Sequence, residues 1–234
     1  MSADTLEKPG RFPASMLWIA GTIVCLTALL GATYGEQTVL AGIAKTAAST
    51  CFIMVAVTRG ARLTWYGRLI LGGLAFSWFG DVFLIFESEA LFLAGLVSFL
   101  LGHFAYVAAF AALGILMPRA LQALGLLALI AAGVLIWLLP HVDDAMKIPV
   151  LAYIFVISLM VAAAFGARAK GAHIAIPIGA TMFFLSDIAV ARRQFVVPDS
   201  MDWAWGLPLY YIGQLFLAYS VSKVLSPTSN ADSE

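Results

Sequence analysis

The sequence is poor in charge: 13 Lys and Arg and 13 Asp and Glu in 234 residues, 11% of the chain, with a formal net charge of zero. It contains no basic run, which excludes an electrostatic footprint for nucleic acid and a polybasic arm for an anionic lipid surface. Cysteine is scarce too. Cys25 and Cys51 both fall within apolar segments, where a thiol packs as a small hydrophobe, so no disulfide framework is expected. No Gly-rich phosphate loop or nucleotide motif occurs, and the His, Cys and carboxylate residues are not spaced as a metal site; neither cofactor nor metal is expected. What fills the chain is apolar: 62% of residues, with a mean hydropathy of +0.98. A water-soluble core cannot hide that much apolar surface, which points to an all-α membrane protein.

A bilayer core about 30 Å thick takes roughly 20 apolar residues per helical span. Eight such runs, bounded by charge, Pro or Gly, are read at Met16 to Tyr34, Thr38 to Thr58, Tyr66 to Phe86, Ala90 to Gly114, Arg119 to Leu139, Lys147 to Gly166, His173 to Ala191 and Trp203 to Leu225. The first is long for the apolar stretch of a signal peptide and lacks a small-x-small cleavage site, so it reads as a retained helix. Residues 1–15 are expected to be a cytoplasmic tail, 16–225 one eight-helix transmembrane domain, and 226–234 a disordered cytoplasmic tail. One side carries Lys8, Arg11, Arg59, Arg62, Arg68, Arg119, Arg168, Lys170 and Lys223. The other carries Lys147, Arg192 and Arg193, and Lys45 lies inside the second run. The positive-inside rule then places both termini of this multi-pass protein in the cytoplasm, and in the inner membrane if the host is bacterial.

A charged side chain at mid-bilayer costs about 2.5 to 3.5 kcal/mol even on the lenient insertion scale, so such groups face a cavity or one another. Four ionisable residues fall inside the runs: Asp81 in WFGDVFLIF, Asp187 in FFLSDIAVA, Lys45, and His103 in LLGHFAYVAAF. From the helical rise, both aspartates lie about 6 to 8 Å below the outer boundary and Lys45 about 10 Å. One cation and two carboxylates at similar depth make a candidate cluster; helix stapling by the aspartates and snorkelling by Lys45 are the plainer alternatives. Ala41, Gly42, Ala48 and Ser49 give Lys45 a small-residue face that admits another helix. Ser186 precedes Asp187, His103 and Tyr106 share a face, and Tyr210 and Tyr211 stand one turn from Gln214. A polar seam is expected, with Lys45, His103, Tyr106, Ser186, Tyr211 and Gln214 as candidate substrate-binding groups. Arg192 and Arg193 lie where a lipid phosphate would sit. Asp81 in FGDV and Asp187 in LSDI each occupy the third helix of a four-helix half, and LGHF matches IGQL in the fourth. An offset of four helices preserves direction, so the halves would form a parallel repeat.

The segments GDVFLIF, GLVSFLLGHFAY, LSDIAVA and LYYIGQLFLAYS, together with the Lys45 segment, occur in an order that resembles the lysoplasmalogenase family of eight-helix membrane proteins. The resemblance runs from Lys45 to Ser222. It implies a hydrolase acting on a lysophospholipid among the membrane lipids, cleaving the vinyl ether bond to a fatty aldehyde and a glycerophospho-alcohol of ethanolamine or choline. It also implies that Asp81 and Asp187 are the catalytic pair. The chemistry suits two carboxyl groups: one protonates the outer alkene carbon, and its ionised partner stabilises the oxocarbenium ion and takes a proton from the attacking water. Which aspartate does which is not legible. The same residues also fit a proton- or sodium-coupled secondary transporter, or a lipid-binding protein without turnover.

Overall fold

A computed structural model describes residues 14–86, 88–197 and 201–225. Of the expected tails at 1–15 and 226–234, residues 1–13 and 226–234 lie outside the described residues, and Ala14 and Ser15 belong to the first helix. In chain order the elements are α1 (Ala14–Tyr34), α2 (Thr38–Thr58), α3 (Trp65–Phe83), α4 (Glu89–Ala112), α5 (Met117–Leu138), a 3-10 turn (Leu139–His141), α6 (Asp144–Ala169), α7 (Ala175–Ala191), a π turn (Arg192–Val196) and α8 (Trp203–Leu225). Backbone polar groups in hydrocarbon must be satisfied within their own segment, which is why every long apolar run becomes a helix. The ends follow local chemistry. The Thr64 side chain accepts from the Gly67 N–H at 3.0 Å to open α3. Helices α2 and α6 close on Gly60 and Gly171, at φ 85° and 99°, a conformation that glycine adopts without strain.

Among the described residues, six helices are long and apolar enough to cross a membrane: α1, α2, α4, α5 with its 3-10 turn, α6, and α7 with its π turn. The sequence reading of eight spans therefore divides into six helices that meet that measure and two, α3 and α8, that do not. The physical reason is polar content turned inward. Ser77 and Asp81 on α3 and Tyr210, Tyr211, Gln214 and Ser220 on α8 are all buried, and each lowers the mean hydropathy of its helix.

The helices pair as hairpins, α1 with α2, α3 with α4, α5 with α6 and α7 with α8, while α2, α3, α4, α6, α7 and α8 close around the centre. Outward faces are apolar, with Leu17, Leu129 and Ile136 exposed. Two hairpins share one crossing geometry. Where α3 meets α4, Gly102 lies against the Gly73 carbonyl and Gly73 against the Tyr106 ring. Where α7 meets α8, Gly213 lies against the Gly179 carbonyl and Gly179 against Leu217. Nearer the outer end, Gly95 approaches the Gly80 carbonyl and Gly206 the Ser186 carbonyl. A shift of 106 residues carries Gly73, Gly80 and Asp81 onto Gly179, Ser186 and Asp187. A shift of 111 carries Gly95, Gly102, His103 and Tyr106 onto Gly206, Gly213, Gln214 and Leu217. Close glycine contacts thus recur at the shifted positions in the two hairpins.

These crossings are tight because a Cβ on Gly179 would stand 2.7 Å from the Gly213 carbonyl oxygen, and one on Gly213 3.0 Å from that of Gly179. Gly179→Ala and Gly213→Ala should each lower stability by about 1 to 3 kcal/mol through overpacking against rigid backbone. Gly72→Ala, whose Cβ would meet nothing within 4 Å, should not. Unfolding of the detergent-solubilised variants by titrated SDS measures the difference, and equal midpoints for all three would show that the α7–α8 crossing has slack.

Candidate active site

A cavity of about 860 Å³ opens among the connections α1–α2, α3–α4 and α7–α8 and descends to Phe99, Ala131 and Ile157. No residue of the basic connections at 59–64 or 170–174 lines it. Its deeper part is apolar, with Leu96 and Phe99 of α4, Val134 of α5 and Ile154 of α6. Its mouth carries Glu36, Gln37, Glu89, Arg193 and Gln194. Asp81 and Asp187 both line it.

Three helices converge on Asp81. Ser49 of α2 and Tyr210 of α8 both donate to Oδ2, Tyr210 at 2.7 Å, while the Lys45 ammonium stands 3.8 Å from Oδ1. Ser49 is one turn from Lys45, so both project from one face of α2 toward α3. Tyr211 secures that face from behind: its hydroxyl donates to the Lys45 carbonyl at 3.2 Å and lies 3.3 Å from Ser49 Oγ. A buried carboxylate needs this company, because an unpaired charge in a low-dielectric interior is strongly disfavoured.

Asp187 has a different set. Tyr153 of α6 donates to its Oδ2 at 2.7 Å. His103 Nε2 lies 3.0 Å from the Tyr153 oxygen and 3.7 Å from Asp187 Oδ2. Ser186 donates to the Phe183 carbonyl at 2.7 Å and stands 3.5 Å from Asp187 Oδ1. The Phe183 ring lies edge-on between the two clusters, 5.1 Å from Tyr210 and 4.7 Å from His103 by ring centroid. Aromatic packing of this kind fixes ring positions as well as burying area.

Of the residues singled out from sequence, Asp81, Asp187, Lys45, Ser186 and Arg193 line the cavity. The other five do not. His103 lies behind Tyr153, Tyr211 behind Lys45, and Tyr106 donates to Gln214 Oε1 at 2.7 Å as a fully buried pair. Arg192 is paired with Asp202 of the α8 connection at 2.6 Å. His103, Tyr106, Tyr211 and Gln214 lie outside the cavity because their side chains turn into helix contacts, and Arg192 because it turns to the α8 connection. Tyr153, Tyr210 and Ser49 escaped the sequence reading as site residues. Tyr153 is a solitary hydroxyl in the apolar word LAYIFVI, and that isolation is the signal that could have revealed it. Among the described residues no group of three or more His, Cys, Asp or Glu is placed to hold a metal ion.

An all-helical bundle of long apolar helices, with a carboxylate-bearing cavity that is polar at its mouth and apolar at its base, is a multi-pass integral membrane protein. The chain belongs to the YhhN family, whose model matches residues 40–221. It is similar to lysoplasmalogenase TMEM86A of Bos taurus, at 30% identity over 168 residues, covering 69% of this chain and 68% of that protein. The Homo sapiens TMEM86A matches at 32% identity with the same coverage. A lysoplasmalogenase of Mycobacterium tuberculosis matches at 31% over 144 residues, 57% of this chain and 49% of that protein. No solved structure matches the chain.

Removing Lys45 would leave Asp81 buried without its cation, so Lys45→Met should destabilise the fold by about 3 to 5 kcal/mol. The double change Lys45→Met with Asp81→Asn should recover most of that loss. Thermal melting in detergent reads both, and a double variant as unstable as Lys45→Met alone would show that Lys45 acts through packing rather than charge.

Proposed function

We propose that this chain is a lysoplasmalogenase, hydrolysing the vinyl ether bond of a lysophospholipid to a fatty aldehyde and a glycerophospho-alcohol. The observation that carries the reading is that Asp81 and Asp187 line one amphiphile-shaped cavity in a chain of the YhhN family. The alkyl chain lies along Leu96, Phe99 and Ile154, and the phosphate stays at the mouth near Arg193. The vinyl ether, which joins the two parts, then falls beside the carboxyl groups. A vinyl ether requires an acid to protonate its outer carbon and a base to deprotonate water, and it requires no cofactor.

All eight helices span the bilayer in this proposal, α3 and α8 turning their polar residues inward and Phe76, Phe79 and Ile212 outward. Both termini are cytoplasmic by the positive-inside rule, so the cavity mouth faces the opposite boundary; in a bacterial host the membrane is the inner one. Coupled transport is less well supported. Helices α3 and α7 run unbroken through Asp81 and Asp187, whereas transporter sites of that kind are built on interrupted helices.

Asp81→Asn and Asp187→Asn should each lower release of long-chain aldehyde from lysoplasmenylethanolamine by roughly 100- to 10,000-fold, the usual contribution of a positioned acid or base. Both should remain monodisperse in detergent. Turnover preserved in either variant would remove that residue from the chemistry. A folded parent protein that releases no aldehyde would sink the hydrolase reading and leave proton or sodium flux in sealed vesicles as the next assay.

A further inference from the structure

The two carboxyl groups share a cavity, yet their surroundings differ oxygen by oxygen. At Asp81, Oδ2 receives two hydroxyl donors, Ser49 and Tyr210, and Oδ1 faces the Lys45 ammonium at 3.8 Å. Both hydroxyls donate to the carboxyl group and the ammonium has protons only to give, so the site is arranged around a carboxylate. Only 3% of the side chain is exposed. At Asp187, Oδ2 receives Tyr153 at 2.7 Å, while Oδ1 has a weaker partner: Ser186 stands 3.5 Å away and is nearer the Phe183 carbonyl, at 2.7 Å. The Asp187 side chain is 18% exposed and lines the cavity. Its Oδ1 therefore has room for a proton and access to a bound molecule.

Behind Asp187 the hydrogens run in one direction. Tyr153 has a single hydroxyl proton and gives it to Asp187, so the hydrogen between Tyr153 and His103, 3.0 Å apart, belongs to His103 Nε2. That tautomer leaves Nδ1 as a bare acceptor. Nδ1 is indeed the buried ring nitrogen with no partner, and a buried acceptor left unpaired is better tolerated than a buried N–H. The His103 ring itself is fully buried and held edge-on to Phe183 and Tyr153.

We infer that Asp187 is the acid of the pair, Asp81 the base, and Tyr153 and His103 positioning residues that keep the Asp187 proton on Oδ1, the oxygen with the weaker donor. The inference rests on the hydrolase reading above. Asp187 passes its Oδ1 proton to the outer alkene carbon; the alkene electron pair forms the new C–H bond, and an ether oxygen lone pair completes the oxocarbenium ion. Water adds its oxygen to that cation and gives a proton to Asp81. As the hemiacetal collapses, its O–H proton returns to Asp187, the C–O bond to glycerol breaks, and Asp81 delivers its proton to the departing oxygen. One water is consumed and both carboxyl groups regain their starting states.

The test compares Tyr153→Phe, His103→Leu, His103→Gln and the double variant Tyr153→Phe with His103→Leu against the parent, reading kcat and KM for aldehyde release from lysoplasmenylethanolamine. Tyr153→Phe and His103→Leu should each lower kcat on the order of 10- to 100-fold with KM within about twofold. His103→Gln, whose amide can supply the Nε2 hydrogen bond, should recover most of kcat. The double variant should be no slower than Tyr153→Phe, because His103 acts through that hydroxyl. Losses that multiply in the double variant, or a change confined to KM, would overturn the inference. If His103→Leu does not fold, full kcat in Tyr153→Phe is sufficient to overturn it. An inactive parent removes the hydrolase reading and this one with it; an active parent with unaffected variants removes this one alone.

Discussion

A carboxylate in hydrocarbon must be met by donors, and at Asp81 that requirement organises the bundle. Donors on α2 and α8 and a carboxylate on α3 can meet only if three helices approach closely at one depth. The approach requires small residues, and Gly42, Ala44, Ala48 and Ser49 are the buried residues of α2 around Lys45. The polar cluster and the small-residue packing are thus two aspects of one constraint. The polar content it brings to α3 and α8 is what takes those helices below the hydropathy of the other six.

The second carboxyl group sits in a matched frame with different occupants. Gly102 faces the Gly73 carbonyl and Gly213 the Gly179 carbonyl, one close backbone approach in each hairpin. Asp81 and Asp187 occupy equivalent positions on α3 and α7, but the facing helices supply Lys45 and Ser49 in one half and Tyr153 in the other. A symmetric scaffold with unlike neighbours is a direct way to give two identical side chains different tasks, since the environment of a titratable group sets its role more than its identity does.

Much of this was legible in the sequence, for a definite reason. Helices in lipid announce themselves by length and apolarity, so all eight were located, with differences confined to their ends: α3 stops at Phe83 rather than Phe86, and α7 starts at Ala175 rather than His173. Ionisable residues within those runs marked Asp81, Asp187 and Lys45, because cost makes them rare. Hydroxyls were less visible. Ser49 carries no charge and disturbs hydropathy little, so nothing in a linear reading distinguishes it from a residue filling space, and Tyr153 is marked only by its isolation in an apolar word. Between adjacent Tyr210 and Tyr211 only the rotation of α8 decides which ring reaches Asp81. The direction of Arg192 toward Asp202 depends on the π turn after α7, whose extra residue per turn no periodicity foretold.

The cavity draws its polar mouth from one set of connections and nothing from the basic loops at the other end of the bundle. On the proposed reading, a mouth at the end opposite those loops meets lipid from the leaflet on its own side. Transbilayer asymmetry and the rate of lipid flip-flop, as well as affinity, then determine which molecules compete for the pocket.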